Sequence, residues 1–218
     1  MTVRLTMLCA TTAEDGLGRV FGDGAVSERR RRELAAMTAT LPPYAVALRG
    51  PSARCAQTAE ALAVAAVPEP ELRDLDHGTW NGRTPEDIAA VDPYGLSVWL
   101  TDPDAAPHGG ESVRELCRRT AAWLDGLPAG TGRVLVITEL SVIRAALVHA
   151  LSVPVRSFRH LQIPPGSAVT LTLSDGRWST RFDRITVPRH RTSADGVPTV
   201  AVPTTPTTRQ RVCLTGRP

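Results

Sequence analysis

Six residues near the middle of the chain, Arg133-Val-Leu-Val-Ile-Thr138, restrict the fold more than any other segment. Their aliphatic and β-branched run reads as a buried strand, and a helical pattern over about 141–151 follows. The same order recurs along the sequence. VRLTMLC (3–9) is a strand candidate. After a Gly-rich connection over 10–26, Ser27 caps a helix to about Leu41, with Leu34, Met37 and Leu41 on one face, and Pro42-Pro43 stops it. YAVALR (44–49) is a second strand, and Ser52 opens a helix with Ala59, Leu62 and Ala66 at helical spacing. Residues 67–83 read as irregular. Thr84-Pro85 starts one helix, and a Ser112…Glu115 capping box starts another that runs to about Leu127. SAVTLTLS and RWSTRFDRI flank Asp175-Gly176 as a hairpin. Strands alternating with helices predict an α/β fold: a three-layer α/β/α sandwich around a mostly parallel sheet.

The composition bounds function. The chain has no lysine, so all 25 basic residues are arginines and the net charge is only +3. Codon drift in a GC-rich genome explains this better than a nucleic-acid surface, and ERRRR (28–32) reads as a solvated helix face. Cys9, Cys55, Cys117 and Cys213 lack metal spacing, and a chain with an ordinary core needs no disulfide framework. The expectation is a reducing cytoplasm. The N-terminus has no signal-peptide form, and no apolar run is long enough for a bilayer. No nucleotide loop, metal cluster or cofactor lysine is present, so no cofactor is expected. Residues 188–218 hold five prolines and seven threonines. They read as an extension to a 1–187 domain: either a disordered tail or an arm on this or a neighbouring subunit, which would make a homodimer.

Four segments carry a family resemblance. Gly50-Pro-Ser-Ala-Arg54-Cys-Ala-Gln57-Thr58-Ala-Glu60 resembles the S-P-x-x-R-A-x-Q-T-A element of the histidine phosphatase superfamily, the phosphoglycerate-mutase-like proteins. Leu72-Arg-Asp74-Leu-Asp76-His77-Gly78-Thr-Trp80-Asn-Gly82 is similar to its L-x-E-x-D-x-G-x-W-x-G. His108-Gly109-Gly110-Glu111-Ser112 resembles P-G-G-E-S, and Val134–Leu147 resembles V-L-V-V-S-H-G-G-V-I-R-A-L. PPGSAVTLTL (164–173) matches the strand that follows. The resemblance runs to about residue 187 and implies a phosphoglycerate-mutase-like fold.

The departures lie at the chemistry. The resemblance places a phosphoryl-accepting Arg-His-Gly where this chain has Cys9, Ala10 and Thr11. The family's second histidine is here Glu139, preceded by Thr138, and the general-acid glutamate is Asp74. Of the charged pocket only Arg54 is unchanged. One unit charge about 4 Å from a phosphate oxygen is worth roughly 4 kcal/mol at an effective dielectric near 20. One arginine against two carboxylates therefore disfavours a phosphoryl dianion, and alanine offers no nucleophilic atom.

The expected site is Glu139 as base, Asp74 as acid and Arg54 as anion holder, because neighbouring carboxylates split their pKa values. The alternative is an inert pocket in which Glu139 pairs with Arg54. Cys9, Ala10, Thr11, His77, His108, Glu111 and Thr138 are expected to border the substrate. Two carboxylates near Cys9 keep its thiol protonated. Cys55 is expected to point elsewhere, His149 and His160 to pack, Arg144 to be structural, and Gly78, Trp80 and Gly82 to serve packing and turns. The resulting expectation is non-phosphatase acid–base chemistry (isomerisation, elimination, cyclisation or hydrolysis) on a small organic molecule, in bacterial specialised metabolism. A catalytically inactive binding or scaffold protein is the alternative.

Overall fold

The computed structural model describes residues 2–10, 20–22, 24–163 and 167–184. Thr11, residues 164–166, Cys213 and the 188–218 extension lie outside the described residues.

A six-stranded sheet is built from β1 (Val3–Cys9), β2 (Val46–Arg49), β3 (Val67–Pro68), β4 (Arg133–Thr138), β5 (Ser167–Ser174) and β6 (Arg177–Arg184). Their order is β3-β2-β4-β1-β5-β6. The first four run parallel, while β5 and β6 are antiparallel. The β5–β6 turn is the expected two-residue one, with Asp175 at φ 52° and Gly176 at φ 73°, the left-handed pair that a hairpin of this twist requires.

Helices α1 (Glu28–Met37) and α2 (Ala53–Ala61) cover one face. Leu34 and Met37, with Cys55, Ala59 and Leu62, pack there on Leu8, Ala47, Leu135 and Ile137. Alternation along each strand sends Leu5, Met7, Val134 and Val136 to the other face. There α5 (Val113–Asp125) and α6 (Leu140–Ala150) lie over them, with α3 (Pro85–Val91) and α4 (Pro93–Thr101) adding Ile88 and Trp99 to the same core. The chain is thus the three-layer sandwich expected, with caps where the sequence placed them: Ser27, Ser52, Thr84 and Ser112 each accept a first-turn N–H. Four details differ. The first helix turns 3-10 at Thr38–Thr40 before Pro42-Pro43, α2 ends at Ala61 short of Ala66, the 67–83 stretch read as irregular supplies the edge strand β3 and 3-10 turns at Pro70–Leu72 and Gly78–Trp80, and α4 carried no expectation.

Candidate active site

β1, β2 and β4 end at one edge. Cys9 lies opposite Thr138 and Arg49 opposite Ile137. The Ala10 N–H donates to the Thr138 carbonyl at 2.8 Å, and the Gly50 N–H to that of Ile137 at 2.9 Å. Ligand sites of open α/β sheets form beyond the carboxyl ends of parallel strands. The segment before Asp74 crosses this edge, where Thr138 Oγ1 donates to the Leu72 carbonyl at 3.0 Å. Gly50 permits the approach, since a Cβ there would meet the Leu72 oxygen at 2.8 Å.

Arg54 sits in the first turn of α2 and Glu139 is the residue between β4 and α6. Both are buried, 5% and 3% exposed. Arg54 Nη1 lies 2.7 Å from Glu139 Oε2. Its Nη2 donates to the Gly22 carbonyl at 2.8 Å and its Nε to that of Gly24 at 3.1 Å. Glu139 Oε1 accepts from Ser52 Oγ at 2.8 Å and from Cys55 Sγ at 3.6 Å. Cys55 therefore faces the site, against expectation: helix α2 turns both of its consecutive residues 54 and 55 toward the carboxylate. Burial, then the charge of Asp74, raises the Glu139 carboxyl to about 7, while Arg54 and the Ser52 bond pull it down. Burial first, with Glu139 and Asp74 adding to it, pushes the Cys9 thiol up to about 12. Cys9, Arg54, Asp74 and Glu139 thus share one electrostatic neighbourhood.

Asp74 is half-buried. Its Oδ1 accepts from the Leu75 N–H at 2.8 Å and from Ser141 Oγ. Arg119 of α5, which the sequence reading passed over, fixes the backbone beneath it. Its guanidinium donates to the carbonyls of Glu71, Arg73 and Asp74, and pairs through two nitrogens with Glu111 at 2.9 and 2.7 Å. Glu111 is therefore committed to a structural clamp that joins the 108–112 loop to the Asp74 segment.

His77 and His108 enter an aromatic cluster with Phe21, Trp80 and Trp99, ring centroids 5.0 to 6.4 Å apart. His108 is only 1% exposed and its Nδ1 accepts from the Gly110 N–H at 3.0 Å. Burial lowers the pKa of both imidazoles. The loops carrying them interlock because Gly78 and Gly110 lack side chains that would strike the His108 and Asp76 backbones. Away from the site, Arg144 donates to the Leu161 carbonyl and His149 pairs with Asp125, while His160 is exposed rather than packed. Among the described residues no group of three or more His, Cys, Asp or Glu is placed to hold a metal, and no helix is long and apolar enough to cross a membrane.

The sequence profile of the histidine phosphatase superfamily (branch 1) matches residues 25–184, well over half of the chain. The chain belongs to this family. An alpha-ribazole phosphatase from Shigella flexneri superposes with a TM-score of 0.70 at 18% identity, over 84% of this chain and 95% of that one. A mycobacterial glucosyl-3-phosphoglycerate phosphatase, solved with VO3, gives 0.71 at 26% identity over 83% and 97%. In sequence, a bifunctional protein of Mycobacterium tuberculosis is 35% identical over 95 residues, 43% of this chain. The chain spans about a quarter of that relative's length, with 26% of it matched.

Proposed function

We propose that this member of the superfamily does not transfer phosphoryl groups and instead performs acid–base chemistry on a small organic molecule from the Asp74 side of its cleft. One observation carries the reading: Arg54, the remaining cation expected to hold phosphate, is closed on Glu139 at 2.7 Å. An external phosphate has to displace a carboxylate tethered in place, at high effective concentration. Ala10, where the resemblance puts the phosphoryl-accepting histidine, supplies no nucleophile. Both oxygens of Glu139 are engaged and its side chain is 4% exposed, so Glu139 and Arg54 act as the floor. Asp74, half-buried, is the carboxylate that a substrate reaches, and it is the proton carrier. A cytoplasmic role in bacterial specialised metabolism belongs to the same proposal, supported by the lysine-free composition and by Cys9, Cys55 and Cys117, which are buried and in no disulfide.

The test is turnover of p-nitrophenyl phosphate and of a phosphomonoester panel. No turnover above the buffer rate is expected. Robust turnover that disappears in Arg54→Ala would overturn the proposal. The sealed ion pair also favours a second reading, a catalytically inactive binding protein. The two separate on Asp74→Asn: it abolishes turnover of an identified substrate under the first and leaves ligand affinity as the only readout under the second.

A further inference from the structure

We propose that Ser141 and Asp74 form a nucleophile–base pair able to take acyl groups from uncharged carboxylic esters. The inference rests on the reading of Asp74 as the reachable proton carrier and adds to it a reaction and an attacking atom.

Among the described residues, three hydroxyls and two thiols lie around the strand ends. Ser52 Oγ is spent on Glu139 and on the Cys55 N–H, and Thr138 Oγ1 on the Leu72 carbonyl. Cys9 and Cys55 are held as thiols by burial and by the charge of Glu139. Ser141 differs from all four. Its Oγ donates to Asp74 Oδ1, a carboxylate outside the Arg54–Glu139 ion pair, and both partners are half-buried rather than sealed. A hydroxyl donating to a positioned base is the arrangement that activates a serine, and here Asp74 stands in the place of that base. The base is held firmly, because Arg119 grips the carbonyls of residues 71, 73 and 74. In the segment that resembles V-L-V-V-S-H-G-G, Ser141 stands where that pattern has its second glycine.

Charge selects the substrate. With Glu139 ionised, above its pKa of about 7, Arg54 and Glu139 cancel, leaving Asp74 as a net negative charge that repels phosphate monoesters and tolerates a neutral ester. Glu139, the N-cap residue of α6, makes no side-chain bond to the first-turn N–H groups of that helix. Those donors, uncapped by that side chain, are the groups assigned to the oxyanion as it forms at Ser141. In the step itself, Ser141 Oγ attacks the ester carbonyl carbon while its proton passes to Asp74. The bond to the alcohol oxygen breaks and the alcohol leaves with that proton. Water then attacks the acyl-serine, giving its proton to Asp74, and the carboxylic acid departs as the proton returns to Ser141 Oγ. The sum is ester plus water to acid plus alcohol.

The experiment treats the full chain with p-nitrophenyl acetate and, separately, with a fluorophosphonate, then maps adducts by mass spectrometry. Expected are nitrophenolate release and a single adduct on Ser141, both lost in Ser141→Gly. Asp74→Asn should slow labelling by at least about tenfold, the low end for loss of a general base. Melting curves of both variants confirm folding, and Asp74→Glu should recover part of the labelling rate. No adduct on the wild type, an adduct elsewhere, labelling that persists in Ser141→Gly, or labelling unchanged in folded Asp74→Asn overturns the proposal. Phosphomonoester turnover is scored independently, so its appearance would sink the proposed function without touching the Ser141 result.

Discussion

Replacing Arg54 by methionine removes the cation from a buried pair and leaves the apolar stem in place. Glu139 then loses its 2.7 Å partner, and the Gly22 and Gly24 carbonyls lose their donors. Breaking such a pair by removing one partner destabilises by about 3–5 kcal/mol, a large part of a total of roughly 5–15 kcal/mol. The loss should depend on pH. Arg54 lowers the Glu139 pKa, so without it the carboxyl titrates above its present value of about 7. A group whose folded pKa is raised contributes stability at low pH and loses it as pH rises. The penalty is therefore largest near pH 8 and smallest near pH 5, where Glu139 is protonated. Urea unfolding at both pH values measures it, and Arg54→Met with Glu139→Leu should recover most of the loss at pH 8. A single-variant penalty below about 1 kcal/mol that is equal at both pH values would refute the coupling, since exposed, screened pairs behave in that way.

Three further outcomes follow from the same contacts. Glu139→Gln should gain on the wild type by about 3 kcal/mol between pH 4.5 and 7, the window between the ordinary carboxyl value of 4.5 and the raised one, read as the change in unfolding free energy difference. Arg119→Met should destabilise by about 3–5 kcal/mol, as expected for stripping a buried partner, and should speed amide exchange around Asp74. Ser112→Ala should lower stability by about 1 kcal/mol through its lost helix cap, measured by thermal melting.

How far the sequence could be read depended on how local the signal was. β4, the hairpin at Asp175-Gly176 and the caps at Ser27, Ser52, Thr84 and Ser112 are set by neighbours within a few residues, and all appear. Helix α4 was passed over although Asp92-Pro93 repeats the cap-then-proline signal of Thr84-Pro85, because its Trp99 and Leu100 blur the polar face. The family segments brought Arg54, Asp74 and Glu139 into one region. Whether Glu139 would face substrate or Arg54 was left open, because that choice depends on burial and on carbonyls 22 and 24, which sequence spacing does not encode. Arg119 and Ser141 escaped notice for a related reason. Each looks like a routine helical residue, and only the fold brings Arg119 to a backbone 45 residues away and Ser141 to a carboxylate 67 residues away. His108 sits in a loop expected to meet ligand, yet glycines 78 and 110 let that loop sink until the imidazole joins the aromatic core.

The closure of Arg54 on Glu139 is tested most directly by isothermal titration of the full chain with orthovanadate at pH 8, above the Glu139 pKa of about 7 so that its carboxylate is ionised, beside the Arg54→Met and Glu139→Gln variants. The wild type should show no saturable heat in the millimolar range, and Glu139→Gln should acquire binding once the tethered carboxylate is neutral. Saturable binding by the wild type that disappears in Arg54→Met would mean that an outside anion already displaces Glu139, and the cleft would have to be read as a working phosphate site.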